Sequence, residues 1–525
     1  MIDPSLYPQS VQTILVTRLD GMGDIVLGTM LLSGLHRRWP GAYIKMLVRP
    51  QMQSMPAILP KWLRVIRLPF DPREPVLNRE QQLADLLQAI SEDCQADLTI
   101  IGEYNRVWAS ELIAAMSNAD LVVAFNGPSG MNVANRGVRD LLEMSPPDDW
   151  QLVSAEADWR ETAKYAAMLE ALGMEGGAFA PSGLSIRPED QSIARTLWSQ
   201  IGIPPEQSII VFPGCGDGIS RTLPPSVWRQ WIEHLCQSFP VLLLGSELDA
   251  PVVDAVADGG LPAQAKRLLL PVQHTGVMGA ILEGAAAYVG MDTGPMHVSA
   301  VLGRPTLAVF GGGHRAERFL PAGLRAAAIR MPISCYGCDW HCPFSSKLCL
   351  SHIPLQALTD AGDAFLASYL ADAVNPSPLS PRIFDVPAPA ELPNVLLGPT
   401  MRQHRQYLQF HHEVMEHHDY LARVNQDRQA RISEMGDALG HITKILAEMT
   451  RQNRAQDDAI NAINRTLAEM TRHNQSRDEA IAHINKTLAD MTQQNNARDK
   501  AITQLHGAVT QLLNREGTIS PVKLR

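Results

Sequence analysis

The densest concentration of usable chemistry in this sequence is Asp292-Thr-Gly-Pro-Met-His297. It follows an apolar run, Ala285 to Gly290, that reads as the end of a buried strand. It precedes Val298 to Gly303, which reads as the first turns of a helix. Thr293 and Gly294 then stand where a strand hands over to a helix N-terminus. Free backbone N–H groups and the positive end of the helix dipole favour an anion there. His297, a few residues into the helix, can donate to a phosphate oxygen. Asp292 repels phosphate but can accept from a hydroxyl or an amine. The combination suits a nucleotide diphosphate. A capped helix with Asp292 as a turn residue would use the same residues.

A second carboxylate of interest closes Arg18-Leu-Asp-Gly-Met-Gly-Asp24. Asp24 follows the first β-rich run, at the position where open α/β sheets place their ligands. A carboxylate there could act as a general base, or it could N-cap the helix that starts at Ile25. Gly21 and Gly23 allow a tight turn, but their spacing is not that of a dinucleotide-binding loop. In Phe212-Pro-Gly-Cys-Gly-Asp-Gly-Ile-Ser-Arg221 a strand runs into a Gly-rich loop, and Arg221 could meet a diphosphate in bidentate fashion. A solvated loop arginine is the plainer reading. Glu247, just past the strand Pro240 to Ser246, could bind a ribose hydroxyl or cap the next helix. Cys335, Cys338, Cys342 and Cys349 offer four thiolates at a spacing that can close a tetrahedral site around zinc or iron. The same four could also be free thiols in a loop. No open coordination position is suggested, so a metal there would be structural, with no cofactor needed for catalysis.

The elements that must hold these residues can be read in order. Gln12–Thr17, a helical pattern over Ile25–Trp39 and Ala42–Val48 form a strand–helix–strand unit. Further apolar runs at Arg64–Leu68, Asp97–Ile101 and Leu121–Phe125 extend it into one doubly wound domain over residues 1–180. A second such domain covers 181–372, with a helix near Glu189–Gln200, strands ending at Phe212 and Ser246, and a strand Thr306–Gly313 after the Asp-Thr-Gly motif. The chain is 525 residues long, too long for one core. Its formal net charge of −10 argues against nonspecific nucleic-acid binding. The N-terminus lacks a basic segment followed by an apolar core, so no signal peptide is expected. No run of about 18 uncharged apolar residues is present, so no transmembrane helix is expected. A cytoplasmic protein, or one peripheral at the inner membrane, fits best.

Residues 14–32 and 291–311 together resemble glycosyltransferase family 9, which includes ADP-heptose heptosyltransferases of lipopolysaccharide synthesis and of autotransporter glycosylation. The resemblance covers about residues 12–370, with the two motifs in order and in separate domains. It implies a GT-B fold, two Rossmann-like α/β domains facing across a cleft, and metal-independent, inverting transfer. The nucleotide-sugar donor would sit on the second domain and a lipopolysaccharide, glycan, lipid-linked or protein acceptor on the first. It implies Asp24 as base, and Asp292, Thr293, Gly294 and His297 as the nucleotide-sugar motif. Arg221 stands where the family has a basic residue at the diphosphate, and Glu247 is the weaker match near the nucleoside. Two departures fall near the donor: an acidic, Gly-rich loop at Cys215–Gly218, and Thr222-Leu223 in place of an aromatic residue before proline. Cys-rich segments near the end of the catalytic region also occur in the family, with iron in autotransporter heptosyltransferases.

Residues 373–402 are Pro-rich and read as a linker. Beyond them, 403–516 carry a heptad pattern in which Leu446-Ala-Glu-Met, Leu467-Ala-Glu-Met and Leu488-Ala-Asp-Met recur every 21 residues. With Leu446 at a, that position reads Leu446, Asn453, Ile460, Leu467, Asn474, Ile481, Leu488, Asn495, Ile502 and Val509. One polar layer in three specifies register, so a parallel, self-associating coiled coil is expected. His411, His412, His417 and His418 read as a solvated helix face rather than a metal site. The whole is then a cytoplasmic glycosyltransferase oligomerised by its tail, or a non-catalytic GT-B scaffold that works through the coiled coil.

Overall fold

The computed structural model describes residues 10–72, 88, 93–127, 150–174, 180–215, 221–323, 325–333, 335–338, 342, 347–370, 382–389, 392, 444 and 477–515. The chain divides into two compact units. One holds residues 1–135 and 145–413, the other 136–144 and 414–525.

The first unit contains two parallel sheets. The first is built from β1 (Thr13–Thr17), β2 (Tyr43–Val48), β3 (Arg64–Arg67), β4 (Leu98–Ile101), β5 (Leu121–Phe125) and β6 (Gln151–Val153). Its strand order is β3-β2-β1-β4-β5-β6, with β1 pairing in parallel to both β2 and β4. The strands are short continuous apolar runs because both faces are covered by helices. Those helices include α1 (Met22–Arg38), α2 (Trp108–Met116) and α3 (Glu161–Ala171). The αα contact between α1 and α3 depends on Gly34, where a side chain would run into Leu169.

The second sheet has β7 (Ile209–Phe212), β8 (Val241–Ser246), β9 (Ala265–Leu270), β10 (Ala287–Met291), β11 (Thr306–Phe310), β12 (Ala326–Arg330) and β13 (Arg382–Asp385). Its order is β13-β12-β11-β10-β7-β8-β9. Helices α4 (Pro188–Ile201), α5 (Pro225–Leu235), α6 (Ala250–Ala257), α7 (Thr275–Gly284), α8 (Gly294–Val301) and α9 (Leu355–Leu370) pack around it. Strand β13 falls within the Pro-rich stretch read as a linker. Arg382, Ile383, Phe384 and Asp385 pair with Ala327–Arg330 of β12, and Arg330 bonds Asp385 at 2.6 Å, so this segment extends the sheet. The rest of 373–381 lies outside the described residues.

Each sheet reverses its winding once, β1 beside β4 in the first and β7 beside β10 in the second. A doubly wound sheet opens a crevice at the carboxyl ends of such strand pairs. One apolar cluster runs through both sheets, joining Ile14, Val16 and Leu35 with Ile210, Phe212, Met296 and Phe310. A second cluster, centred on Trp228, Trp231 and Phe365, fills the far face of the second sheet.

In the second unit the structure describes α10 (Arg477–Arg515), one helix of 39 residues. Leu488 and Ile502, both at heptad position a, are each 51 % exposed on it. The earlier heptads and the four histidines at 411–418 lie outside the described residues.

Candidate active site

The loop after β1 is set by a buried arginine. Arg18 donates to the Gly102 carbonyl at 2.6 Å and, through Nε, to the Asp24 carbonyl at 3.3 Å. Its guanidinium pairs with Asp20 at 3.0 Å and with the Asp24 carboxylate at 3.6 Å, and it stacks over the Tyr165 ring at 5.3 Å. Glu103, just past β4, is buried beside it and accepts from Leu19 N–H at 2.5 Å, Thr17 Oγ1 at 2.7 Å and Ser110 Oγ at 3.0 Å. Burial pushes Glu103 above the usual carboxylate range and Asp20 adds to this, while Arg18 and the hydrogen bonds pull the other way. Burial works against the Arg18 charge, but Tyr165, Asp20, Asp24 and Glu103 outweigh it and raise its proton affinity. The switch point of the first sheet is therefore an organised charge cluster with Asp24 at its rim.

Asp24 does not cap α1. Gly21 occupies the N-cap position, without a side-chain cap, and Asp24 lies in the first turn, where the helix dipole favours a carboxylate. Its Oδ2 turns back toward Gly21.

At the second switch point, Thr293 is the N-cap of α8 in extended conformation, with no side-chain cap bond. Asp292 is tied by its N–H to the Val309 carbonyl at 3.1 Å. Burial pushes its carboxyl up to about 7; Arg221 opposes the shift and the Asp24 charge adds to it. Asp24, Asp292 and Arg221 thus share one electrostatic environment, although they come from three different loops. Arg221 also donates to the Cys215 carbonyl at 3.4 Å. Residues 216–220 of this Gly-rich loop lie outside the described set. In place of the missing aromatic residue, Thr222 is buried and accepts from Trp228 Nε1 at 2.8 Å.

His297 is only 3 % exposed. Burial, with a contribution from the charge of Arg160, holds its pKa down to about 3, so the imidazole is neutral. Its Nδ1 is buried without a hydrogen-bond partner. The ring lies against α1: a Cβ at Gly23 would stand 2.7 Å from His297 Cδ2. Likewise a Cβ at Gly294 would stand 2.8 Å from Met22 Sδ. The two Gly-containing motifs therefore pack directly on each other across the crevice between the sheets.

Glu247 is exposed at the end of β8, in a short helical turn over Glu247–Asp249. The buried acid there is Asp249, which accepts from Ser246 N–H at 2.9 Å and Ser246 Oγ at 2.7 Å, and lies where a side chain at Gly214 would go. Sequence spacing singled out Glu247 and passed over Asp249. Arg18 stands in the first motif, but its role comes only from tertiary contacts, as do those of Glu103 and Arg160.

The four thiols Cys335, Cys338, Cys342 and Cys349 are all free of disulfides. Burial pushes Cys335 up to about 12, and the neighbouring Cys338, Cys349 and Cys342 add to it. Burial likewise carries Cys349 up to about 11, against the N–H of Gly312, which it accepts at 3.0 Å. The sulfurs are close enough to feel each other. Among the described residues, however, no group of three or more His, Cys, Asp or Glu converges in a way that could hold an ion. The loop does grip the second sheet: Gly337 N–H and Cys338 N–H both donate to the Gly312 carbonyl, at 2.6 and 3.2 Å.

Residues 164–344 match the profile of glycosyltransferase family 9 (heptosyltransferase), which supports glycosyltransferase activity. The structure is similar to that of a family 9 glycosyl transferase from Veillonella parvula, at 17 % identity and a TM-score of 0.53, covering 68 % of this chain and 98 % of that one. It is also similar to E. coli ADP-heptose LPS heptosyltransferase II, at 18 % identity and a TM-score of 0.50, covering 68 % and 99 %. At these identities the likeness establishes the fold: two parallel-sheet α/β domains in the GT-B arrangement. No curated protein sequence matches the chain. Among the described residues, no helix is long and apolar enough to cross a membrane.

Proposed function

We propose that this protein is an inverting glycosyltransferase that moves a heptose from an ADP-linked donor to a glycan, lipid-linked or protein acceptor. The observation that carries this reading is the packing of Gly23 on His297 and Met22 on Gly294, which brings Asp24 and the Asp292-Thr293-Gly294 turn to one crevice. Asp24 takes the proton from an acceptor hydroxyl as its oxygen bonds to the anomeric carbon. The bond from that carbon to the donor diphosphate breaks, and the diphosphate leaves with the electron pair. Arg221, neutral His297 and the amides at the start of α8 stabilise the departing charge. Asp292, set back by its raised pKa, accepts from or donates to a sugar hydroxyl.

Two further parts belong to this reading. The first is a structural zinc or iron held by Cys335, Cys338, Cys342 and Cys349, whose soft thiol set suits either metal. Binding would require the sulfurs to draw together around the ion. The second is self-association through the coiled coil, supported by the half-exposed Leu488 and Ile502 at a positions of α10.

The test is a thermal-shift screen of the full chain against ADP, UDP, GDP and their sugars, paired with Asp24→Asn. A ligand that binds the native state raises Tm by mass action. Selective stabilisation by ADP and ADP-heptose, with transfer reduced about 10²–10⁴-fold in Asp24→Asn and donor binding kept, is the expected result. A response to UDP or GDP sugars alone replaces the donor. No response to any nucleotide leaves the GT-B scaffold acting through its coiled coil.

A further inference from the structure

The turn that presents Asp24 is held by side chains from three strand ends. Arg49, past β2, donates through Nε to the Asp20 carbonyl at 3.2 Å and is itself fixed by Asp71 at 2.7 Å. Glu103, past β4, accepts the Leu19 N–H at 2.5 Å. Arg18, past β1, lies along α1, with its Nε 3.6 Å from where a Cβ at Gly28 would stand. Gly102 lets this arginine seat closely, since a side chain there would meet the Thr17 carbonyl at 2.8 Å and Arg18 Cδ at 3.5 Å.

The guanidinium divides its nitrogens between anchoring and Asp24. Nη1 is taken by the Gly102 carbonyl at 2.6 Å and by Asp20 at 3.0 Å. Nε and Nη2, the other edge of the planar fork, both face Asp24. Nε donates to its carbonyl at 3.3 Å, and Nη2 stands 3.6 Å from its Oδ1. The arginine side chain is 4 % exposed and that of Asp24 is 30 % exposed. A buried, anchored cation thus holds one residue by main chain and side chain together, while the carboxylate stays open to solvent. A rigid fork can do this and a single ammonium cannot. A cation at this range favours the ionised carboxylate, as does the first turn of α1. Asp20, which shares Arg18, and Asp292, from the β10–α8 turn, act the other way. Tyr165 of α3 and His297 of α8 are neutral around pH 7, Arg221 is a cation near Asp292, and Glu103 adds its charge at Arg18.

We propose that Arg18 is the positioning residue of the base, holding the Asp24 carboxylate ionised and in one orientation for the acceptor hydroxyl. This rests on the glycosyltransferase reading and deepens it. When Asp24 takes the acceptor proton its carboxyl becomes neutral and its pairing with Arg18 is lost. Arg18 therefore weakens the base but keeps it deprotonated to lower pH, and it touches neither sugar nor diphosphate in doing so.

The experiment follows nucleotide release by the full chain, with water in place of the acceptor, across about pH 5 to about pH 9. The probe is whichever of ADP-heptose, a UDP-hexose and a GDP-hexose the wild type cleaves fastest. It is repeated for Arg18→Lys, for Asp24→Asn and for Arg18→Met combined with Glu103→Gln, the last compared with Glu103→Gln alone, and each variant is first shown to melt cooperatively. The wild-type rate should fall on the acid side as the base is protonated, and Asp24→Asn should lose that limb. In the double variant the limb should move up by about one pH unit. That is a loss of about 10-fold in kcat at the acid end and little at the alkaline end, with KM for the donor unchanged. Arg18→Lys keeps the charge and should keep the limb, with a pH-independent loss in kcat because one ammonium cannot hold both groups. A pH-independent loss in the double variant, or an Arg18→Lys profile that matches the wild type, would overturn the inference and leave the glycosyltransferase reading in place. A limb that survives in Asp24→Asn would move the base elsewhere and overturn it too. A wild type that cleaves none of the three donors would remove the reading and the inference together.

Discussion

The imidazole of His297 fills the space that any side chain at position 23 would need: a Cβ on Gly23 would come within 2.7 Å of His297 Cδ2 and 3.3 Å of Nε2. The ring is buried between α8 and the first turn of α1. Gly23→Ala is therefore expected to destabilise the protein by about 1–3 kcal/mol through overpacking. It should also weaken nucleotide binding by displacing His297. Chemical denaturation and nucleotide titration of the one variant check both effects. An unchanged midpoint with unchanged binding would show that the motifs do not depend on this contact.

Two groups at the site link stability to pH with opposite signs. The folded-state pKa of Asp292 is raised to about 7 by burial, with Asp24 adding and Arg221 opposing. Between about pH 4 and pH 7 the native state holds this proton more tightly than the unfolded chain, so stability falls as pH rises through that window. His297 is lowered to about 3 by burial and by Arg160. From about pH 6.5 down to about pH 3 the unfolded chain takes up the proton first, so stability falls as pH falls. Asp292→Asn should therefore gain Tm over the wild type at pH 8 and give up that gain by pH 4. His297→Gln should lose less Tm than the wild type on acidification from pH 7 to pH 4. Parallel Tm-against-pH curves for the wild type and both variants would contradict the two assignments.

Arg18 is a buried cation at the first switch point, paired with the partly exposed Asp20 at 3.0 Å and Asp24 at 3.6 Å, and lies beside the buried Glu103. Removing one partner of a buried ion pair leaves the other charge uncompensated, which costs about 3–5 kcal/mol. Arg18→Met is expected to fall in that range by urea denaturation. Adding Glu103→Gln should recover part of the loss, because the neutral amide no longer needs the cation. Additive losses in the double variant would mean that the two side chains do not compensate each other.

If the four thiols hold an ion, the purified full chain carries about one zinc or iron per molecule by elemental analysis, as a closed tetrahedral thiolate site takes one ion. Cys335→Ser and Cys349→Ser should each lose it. Cys349 also accepts the Gly312 N–H at 3.0 Å, and Gly312 follows β11 at the carboxyl edge of the second sheet, where the proposed function puts the nucleotide. Loss of the metal should therefore lower nucleotide affinity as well as Tm. Metal-free protein of full stability and affinity would leave these cysteines as ordinary core and loop thiols.

Much of this was legible in the residues. The β1–α1 and β10–α8 units stand out because an apolar run, a Gly-containing turn and a helical pattern follow within a few positions. Asp24, Asp292, Thr293, Gly294 and His297 sit in those turns, so local rules locate them. The alternative of Asp24 as N-cap fails because Gly21 already takes that position and the helix starts three residues earlier than its apolar pattern. Glu247 and Asp249 illustrate a limit: spacing from a strand end cannot tell which of two nearby acids turns inward. The one that does is fixed by Ser246 and Gly214. Arg160 carries no local signal at all; its contact is with Pro321, far along the chain. Strand β13 was hidden by flanking prolines, which read as a linker although an edge strand accommodates them.

The apolar cluster that unites Ile14 and Leu35 with Ile210 and Phe310 has a consequence for how this molecule can be handled. The two sheets share the interior that lies between them, so either half expressed alone would present that apolar face to water even though the second keeps its own far-side core. They should melt in a single calorimetric transition. Exchanging one half for that of a relative would require the residues of this shared seam to be exchanged with it.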